Sequence, residues 1–182
     1  MHDVGKLKIP DEILNKPAKL TDREFEEMKK HTNYGFTLIL NSKDFTETEA
    51  LVAIEHHERA DGKGYPFFKR ESETNFYSRI VHVADVFHAM SSRRCYKNEM
   101  PFYDVLFTMN KEIFGNFDPI IALKFLNHVM ESLINEKVLL SSGEEAMIRF
   151  INPLDPTRPL VEAESGIIDL SRNLNINIIK LI

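Results

Sequence analysis

The chain has 182 residues, of which 43% are hydrophobic and 28% are charged, and this suits one globular domain or one domain with a small appendage. Its net charge of −5 argues against a general nucleic-acid-binding surface, which needs a basic field, so we expect no DNA partner. The single cysteine, Cys95, excludes an intramolecular disulfide and favours a reducing, cytoplasmic location. No apolar run approaches the roughly 20 residues that cross a bilayer, and residues 1–10 lack the apolar segment of a signal peptide.

Apolar residues recur at mostly helical spacing from Thr21 to about Ile134. Thr21 and Glu24 form a capping box that predicts a helix start. Further helices are predicted over 33–40, from Thr46 or Thr48 to His57, and over 77–92, 101–114 and 119–134. The stripe along the helix at 77–92 consists of Ile80, Ala84, Phe87 and Ser91. Two glycines and a proline within 61–66 predict a break after the helix that ends at His57.

The pattern changes near Asn135, where short apolar runs alternate with turn residues. The runs are 138–140, 146–151, 160–163, 167–170 and 176–181. Such runs are typical of short strands. We therefore predict a mainly α protein with a helical bundle over 1–134 and a small C-terminal extension over 135–182 that contains short β-strands.

Histidine and aspartate residues recur along the helical region at regular distances. Asp3, His31, His57 and Asp85 are each separated by about one helix and its connection. One candidate ligand per helix can converge on a point between packed helices, as in metal sites of helical bundles. Imidazole with carboxylate suits Fe, Mn, Zn or Ni, whereas a thiolate zinc site is unexpected because the set lacks cysteine.

The set holds more ligands than one tetrahedral ion needs, since His2 and His56 adjoin it. A two-metal site with Asp3 as a bridge is therefore predicted, and two ions about 3.5–4 Å apart suit the hydrolysis of phosphate esters. Asp85 supports this prediction, because a carboxylate in so apolar a stretch is costly to bury unless it is paired or metal-bound.

Each feature also has a purely structural interpretation. Isolated histidines are more often surface or hydrogen-bonded core residues than ligands, which is our expectation for His82, His88 and His128. The neighbours His56 and His57 would not share a helix face, so their adjacency alone is weak support. Taken singly, Lys6 is a surface charge and residues 62–64 are a turn.

The motifs in combination resemble the HD-GYP family of metal-dependent phosphohydrolases, within the HD superfamily. They are HDVGK at 2–6, His31, HHERADGKGYP at 56–66 and the Ala84-Asp85 pair. The resemblance continues at 9–21, 85–97 and 117–125, and so extends over roughly two thirds of the chain. It implies an all-helical HD domain with two or three metal ions, often iron or manganese. It also implies cyclic di-GMP as substrate, opened to the linear dinucleotide and often on to GMP.

The resemblance assigns roles to individual residues. The implied metal ligands are His2, Asp3, His31, His56, His57 and Asp85, with Asp3 bridging. Lys6 matches the lysine that contacts the scissile phosphate, a suitable cation for the charge that develops there. Arg94 and Lys97 match the basic pair that holds the substrate phosphates. Tyr65 belongs to the signature loop of residues 64–66, which we expect beside the substrate and which also has a structural or partner-binding role.

The resemblance is incomplete at the start of the chain. Family members carry at least one helix before the HD pair, which supplies a Glu and another His, so the resemblance implies an N-terminally truncated domain. Two explanations stay open, a fragment of a longer protein or a short protein with a degraded site. Either would expose an apolar face that invites a homodimer or a protein partner. Smaller departures occur at His88, where the family usually has Asp, and at Thr32 and Cys95.

Three functions follow as hypotheses. The first is a metal-dependent phosphodiesterase acting on cyclic di-GMP in bacterial second-messenger signalling. The second is a catalytically impaired module of the same fold that binds a nucleotide or a protein partner, docked at the N-terminal face or the GYP loop. The third is HD-type hydrolysis of another phosphoester.

Overall fold

The structure is a computed structural model that describes residues 1–92 and 101–182. The chain forms two compact units. The first comprises Met1–Glu99 and Gly115–Asp118, and the second comprises Met100–Phe114 and Pro119–Ile182. This division into compact units differs from the domain boundary expected between residues 134 and 135. That domain boundary stays a prediction. Within the described ranges, every helix is too short or too polar to span a bilayer.

Short helices build the first unit. A 3-10 helix covers Val4–Lys8, followed by α1 (Asp11–Leu14), α2 (Asp22–Lys29), α3 (His31–Leu40), α4 (Glu47–Glu55), a second 3-10 helix (Glu71–Glu73) and α5 (Phe76–Ser91). α3 packs against both the first 3-10 helix and α4, and α4 packs against α5. The predicted helices are therefore present in this unit, with bounds shifted by one or two residues, as is usual for helix ends.

Side-chain capping explains where α2 and α4 begin. The Glu24 backbone N–H donates to Thr21 Oγ1 at 3.3 Å, and the Thr21 N–H donates to Glu24 Oε2 at 2.7 Å. Thr46 forms the same capping box before α4, where its N–H donates to Glu49 Oε2 at 2.6 Å. These bonds satisfy N–H groups that a helix start leaves without partners, which confirms the predicted capping box at Thr21.

Gly5 allows the first 3-10 helix to lie directly on α3. A Cβ built at Gly5 would lie 1.9 Å from the His31 carbonyl oxygen and 2.4 Å from the Gly35 nitrogen. Since backbone atoms surround this position, only glycine fits without displacing one of the two helices. The contact holds the residues just before Gly5 beside the start of α3.

The buried side of α5 is not the predicted apolar stripe. Ser78, His82 and Val83 are buried, whereas Ile80 is 39% exposed and Ala84 is also exposed. The reason is that polar groups of the neighbouring segments offer hydrogen-bond partners to Ser78 and His82. Buried polar side chains are retained where such partners exist.

The second unit combines helices with an antiparallel sheet. Its helices are α6 (Phe102–Lys111) and α8 (Pro119–Glu131), while the short α7 (Ile113–Asn116) lies at the division between the units. Its strands are β1 (Lys137–Leu140), β2 (Glu145–Phe150), β3 (Leu160–Ala163), β4 (Gly166–Asp169) and β5 (Ile178–Leu181).

The sheet has the order β4-β3-β2-β1-β5, and all its described pairings are antiparallel. β1 and β2 pair with Val138 opposite Ala146, and Gly143 between them has φ +89°, a backbone conformation that favours glycine. α6 packs against β5 and α8. The prediction of a mainly helical chain with short C-terminal strands is therefore confirmed.

Candidate metal centre

Four segments of the first unit bring the predicted ligands together. His2 and Asp3 precede the first 3-10 helix, and His31 begins α3. His56 is the residue after the last turn of α4, with His57 following in a turn. Asp85 lies within α5, so residues far apart in sequence meet through the packing of short helices.

The first group consists of Asp3, His31, His56 and His57. One candidate ligand atom from each lies within 4.8 Å of those of the other three. Asp3 Oδ1 is 3.4 Å from His31 Nε2 and 3.7 Å from His56 Nε2, and the two Nε2 atoms are 3.4 Å apart. Separations of this size are short enough for the three atoms to bind a single cation together.

Hydrogen bonds orient the two buried imidazoles of this group. His31 Nδ1 donates to the Met28 carbonyl at 2.7 Å, and His56 Nδ1 donates to the Ala53 carbonyl at 3.0 Å. In a neutral ring, a protonated Nδ1 leaves a lone pair on Nε2. Burial also lowers the pKa of His31, which favours its neutral form. With both rings neutral, the two Nε2 lone pairs would face one another, an arrangement that suits metal ligation.

The carboxylate of Asp3 gives the strongest indication of a cation. Asp3 Oδ1 is buried and lacks a hydrogen-bond donor among residues 1–92 and 101–182, while Lys6 Nζ donates to Oδ2 at 2.6 Å. Burial by itself raises the pKa of Asp3, but the neighbouring His56 and the Lys6 ammonium outweigh it and hold the pKa far below its usual range. A buried, unpaired carboxylate oxygen is costly unless a cation binds it, so the donor set fits a metal ion.

A second group lies on the other side of Asp3. It consists of His2, Asp3 and Asp85. His2 Nε2 is 3.5 Å from Asp85 Oδ1 and 3.6 Å from Asp3 Oδ2. The hydrogen bond from His2 lowers the pKa of Asp85 and keeps its carboxylate ionised. Asp3 thus belongs to both groups, with Oδ1 directed to one and Oδ2 to the other.

His57 is held against the loop that follows it. Its ring stacks on Tyr65 with centroids 4.6 Å apart and an interplanar angle of 27°, and the Tyr65 N–H donates to the His57 carbonyl at 3.1 Å. Burial lowers the pKa of His57, and the adjacent His56 and His31 lower it further. His57 is therefore neutral near pH 7, the form in which histidine binds metals.

Buried backbone contacts fix the position of that loop. A Cβ at Gly64 would lie 2.4 Å from the His57 carbonyl oxygen and 2.5 Å from the Arg59 nitrogen, so glycine is required there. The buried Glu58 carboxylate accepts hydrogen bonds from the N–H groups of Phe67 at 2.6 Å and Lys69 at 2.9 Å. Glu58 thus ties the loop back to the segment that carries His56 and His57.

Glu55 connects the same loop to α5. Its buried carboxylate pairs with Lys69 Nζ at 2.6 Å and accepts hydrogen bonds from Asn75 N at 2.9 Å and Ser78 Oγ at 3.0 Å. The roles of Glu55 and Glu58 were not predicted from the sequence. For Glu58 the signal was available, since it stands inside the HHERADGKGYP motif.

The structure brings together all six predicted ligands, and Lys6 lies beside Asp3. Arg94 and Lys97 lie outside the described residues, as does Cys95. Among the other histidines, His82 is buried and hydrogen-bonded, whereas His88 and His128 are exposed, in agreement with the structural interpretation given to them. The roles assigned to individual site residues stay predictions.

Comparison with known families identifies this arrangement. The family model described as HD domain matches residues 1–121. The chain belongs to the HD domain family. Its resemblance to HD-GYP proteins is confirmed by relatives and by a structural neighbour.

Two curated relatives of this HD domain chain are cyclic di-GMP phosphodiesterases by name. The protein PA4108 of Pseudomonas aeruginosa is 35% identical over 148 residues, which cover 81% of this chain and 36% of the relative. A cyclic di-GMP phosphodiesterase of Thermotoga maritima is 50% identical over 102 residues, which cover 56% of this chain and 28% of the relative. The chain therefore spans about a third of the length of these curated relatives.

A solved structure shows the same fold. Bd1817, an HDG"Y"P protein from Bdellovibrio bacteriovorus, superposes with a TM-score of 0.56 at 19% sequence identity. The superposition covers 71% of this chain and 40% of Bd1817.

Proposed function

We propose that this chain is the HD-GYP-type portion of a metal-dependent phosphodiesterase that hydrolyses cyclic di-GMP to the linear dinucleotide, to GMP or to both. The observation that carries the proposal is the pair of ligand groups that share Asp3, which suits two adjacent cations. The names of the relatives from Pseudomonas aeruginosa and Thermotoga maritima support cyclic di-GMP as the substrate. The place of action is bacterial second-messenger signalling in the cytoplasm.

The cofactor of the proposed enzyme is a set of two or three divalent ions. The imidazole and carboxylate donors suit Fe, Mn, Zn or Ni, and the resemblance to the HD-GYP family favours iron or manganese among them. Asp3, His31, His56 and His57 would hold one ion, and His2, Asp3 and Asp85 would hold another. When bound, such ions lower the pKa of a water molecule and polarise a phosphate oxygen.

In the proposed enzyme, side chains of the protein bind the ions, stabilise charge on the phosphate and hold the substrate. Asp3 stays ionised through its low pKa, and the buried His31 is kept neutral with Nε2 free to bind. The Lys6 ammonium lies 2.6 Å from Asp3 Oδ2, where it can contact the scissile phosphate and stabilise the negative charge that develops on it. Tyr65 covers His57 and borders the substrate, while Arg94 and Lys97 hold the substrate phosphates.

The test is hydrolysis of cyclic di-GMP by the purified chain loaded with Mn²⁺ or Fe²⁺, with products separated by chromatography. We expect the linear dinucleotide or GMP from the unaltered chain and no product from Asp3→Ala, because this substitution removes a ligand from both groups. The exposed His128→Ala is the matched control and should keep full activity. Cleavage that persists in Asp3→Ala would refute the proposed role of the centre.

A second candidate is a non-hydrolysing module that binds a nucleotide or a protein partner. The observation that favours it is the exposure of two aromatic side chains in the loop after Tyr65, where Phe67 is 53% and Phe68 is 64% exposed. Calorimetry with cyclic di-GMP distinguishes the candidates, since heat of binding without any product supports the module. Sedimentation of the chain alone tests the predicted homodimer.

A further inference from the structure

His82 is a buried histidine beside the metal centre that neither ligand group contains. It lies on α5, one turn before Asp85. Its Nδ1 donates to the main-chain carbonyl of His56 at 2.9 Å, and its Nε2 lies 3.2 Å from Asn116 Oδ1. The ring also packs beside Phe117, with centroids 5.3 Å apart. Both ring nitrogens therefore already have protein partners, so His82 has no free nitrogen for a cation.

The contact with His56 occurs where α4 ends. The last carbonyl groups of a helix have no partner within the helix, and they need one when they are buried. His82 supplies this partner to His56, whose own side chain belongs to the first ligand group, as does that of the next residue, His57. This hydrogen bond connects the turn that carries two candidate ligands to the helix that carries Asp85, one turn along α5 from the bond between Ser78 and Glu55.

The other partner of His82 is itself held in place. The segment Gly115–Asp118 returns to the first unit and accepts two backbone hydrogen bonds, from Ala60 N to the Asn116 carbonyl at 3.1 Å and from Asp61 N to the Gly115 carbonyl at 2.9 Å. Arg79, also on α5, donates to Asp118 Oδ2 at 2.6 Å. The hydrogen-bonded segment Gly115–Asp118 therefore holds the ring of His82 in place, and His82 in turn holds the His56 carbonyl.

We propose that His82 is a positioning residue that sets the distance between the His56–His57 turn and Asp85, and with it the separation of the two ligand groups. The inference rests on the proposed function, because it assumes that both groups hold cations. Partners behind the ligands of a metal site commonly change metal affinity by about 10- to 100-fold when they are removed. His82 acts through a backbone carbonyl, so the lower end of this range is expected.

Two near-isosteric substitutions separate the two hydrogen bonds. The amide nitrogen of His82→Asn can occupy the place of Nδ1 and keep the bond to the His56 carbonyl, whereas the longer His82→Gln places its amide near Nε2 and keeps only the Asn116 contact. Titration calorimetry with Mn²⁺ alone should give a weaker second binding event, by about 10-fold, for His82→Gln. The Mn²⁺ affinity of His82→Asn should stay within about 3-fold of that of the unaltered chain, which is a clearly smaller loss than in His82→Gln.

Electron paramagnetic resonance gives a readout that a purely structural role would not change. We expect the signal of coupled Mn²⁺ pairs in the unaltered chain and in His82→Asn, and the signal of isolated Mn²⁺ in His82→Gln. His88→Asn, at an exposed position of the same helix, should leave both the binding and the signal unchanged. Circular dichroism confirms that each variant is folded at the temperature of the titration.

The outcomes separate this inference from the proposed function. If the unaltered chain binds no Mn²⁺, the metal centre and the role of His82 are both overturned. If the unaltered chain binds two ions and the Gln and Asn variants bind them equally well, the role of His82 alone is overturned. Weak binding by the Gln variant together with recovery in the Asn variant supports it.

Discussion

The contact at Gly5 leads to a prediction about Gly5→Ala. Its Cβ would lie 1.9 Å from the His31 carbonyl oxygen, whereas ordinary contact begins at 3.4 Å, so the first 3-10 helix must move by about 1.5 Å relative to α3. Overpacking against backbone costs about 3 kcal/mol, at the upper end of the usual range. For a chain of this length, that corresponds to a fall of about 6–12 °C in the midpoint of thermal unfolding.

The same movement should damage the metal centre more than it damages the fold. His2 and Asp3 stand just before Gly5, and Asp3 contributes to both ligand groups while His2 contributes to the second. Metal–ligand distances tolerate deviations of only about 0.2 Å, much less than the required displacement. We expect Mn²⁺ affinity, measured by titration calorimetry at 20 °C below the midpoint of unfolding, to fall by at least about 10-fold, as for loss of a supporting contact.

Gly35→Ala is the matched control at the same contact. Its Cβ would lie 3.3 Å from the Ala53 side chain and 3.4 Å from the Gly5 nitrogen, so its neighbours need to yield by only tenths of an ångström. Alanine also stabilises a helix interior by about 0.5–1 kcal/mol relative to glycine, which offsets that strain. Mn²⁺ affinity in Gly5→Ala equal to that of Gly35→Ala would refute the argument that this close approach positions His2 and Asp3.

Further predictions concern pH and the loop after His57. In the metal-free chain, burial lowers the pKa of His31 and His57. Below about pH 6.5 the unfolded chain therefore binds more protons than the folded chain. Each of the two groups then reduces the free energy of unfolding by up to about 1.4 kcal/mol for every unit by which the pH falls. Urea unfolding in EDTA at pH 7, 6 and 5 checks this, and stability that stays level over that window contradicts it. Glu58→Ala should leave the N–H groups of Phe67 and Lys69 without acceptors, which costs about 1–3 kcal/mol of stability for each group. Hydrogen exchange over residues 65–69 should therefore become faster. Glu58→Gln should retain part of the protection, because its side-chain oxygen can still accept. Gly64→Ala should accelerate exchange in the same loop, because its Cβ meets backbone at 2.4–2.5 Å, and exchange at the rate of the unaltered chain would show that the loop can yield.

Local features of the sequence predicted the helix starts and the strands. Thr21 and Glu24 signal a helix start within four residues, and their hydrogen bonds form as expected. The short apolar runs after Asn135 become β1 to β5. These elements depend on hydrogen bonds and spacing within a few residues, and so a single sequence contains the necessary information.

The buried face of α5 could not be predicted in this way. Ile80 fits an apolar stripe, yet it is 39% exposed, while Ser78 and His82 are buried. Hydrophobicity alone favours the opposite arrangement. The carboxylate of Glu55 and the carbonyl of His56 reverse it, because they offer hydrogen bonds to polar side chains on that face.

The sequence by itself determined which residues have the chemistry to bind cations, because imidazoles and carboxylates repeated at intervals of one helix need no coordinates to be noticed. Only the tertiary structure decided how Asp3 is used, with Oδ1 facing His31 and His56 and Oδ2 facing Lys6 and His2. The reason is geometric: the direction of a carboxylate oxygen depends on the close approach of backbones at Gly5, and such an approach between segments distant in the chain has no local signal in the sequence.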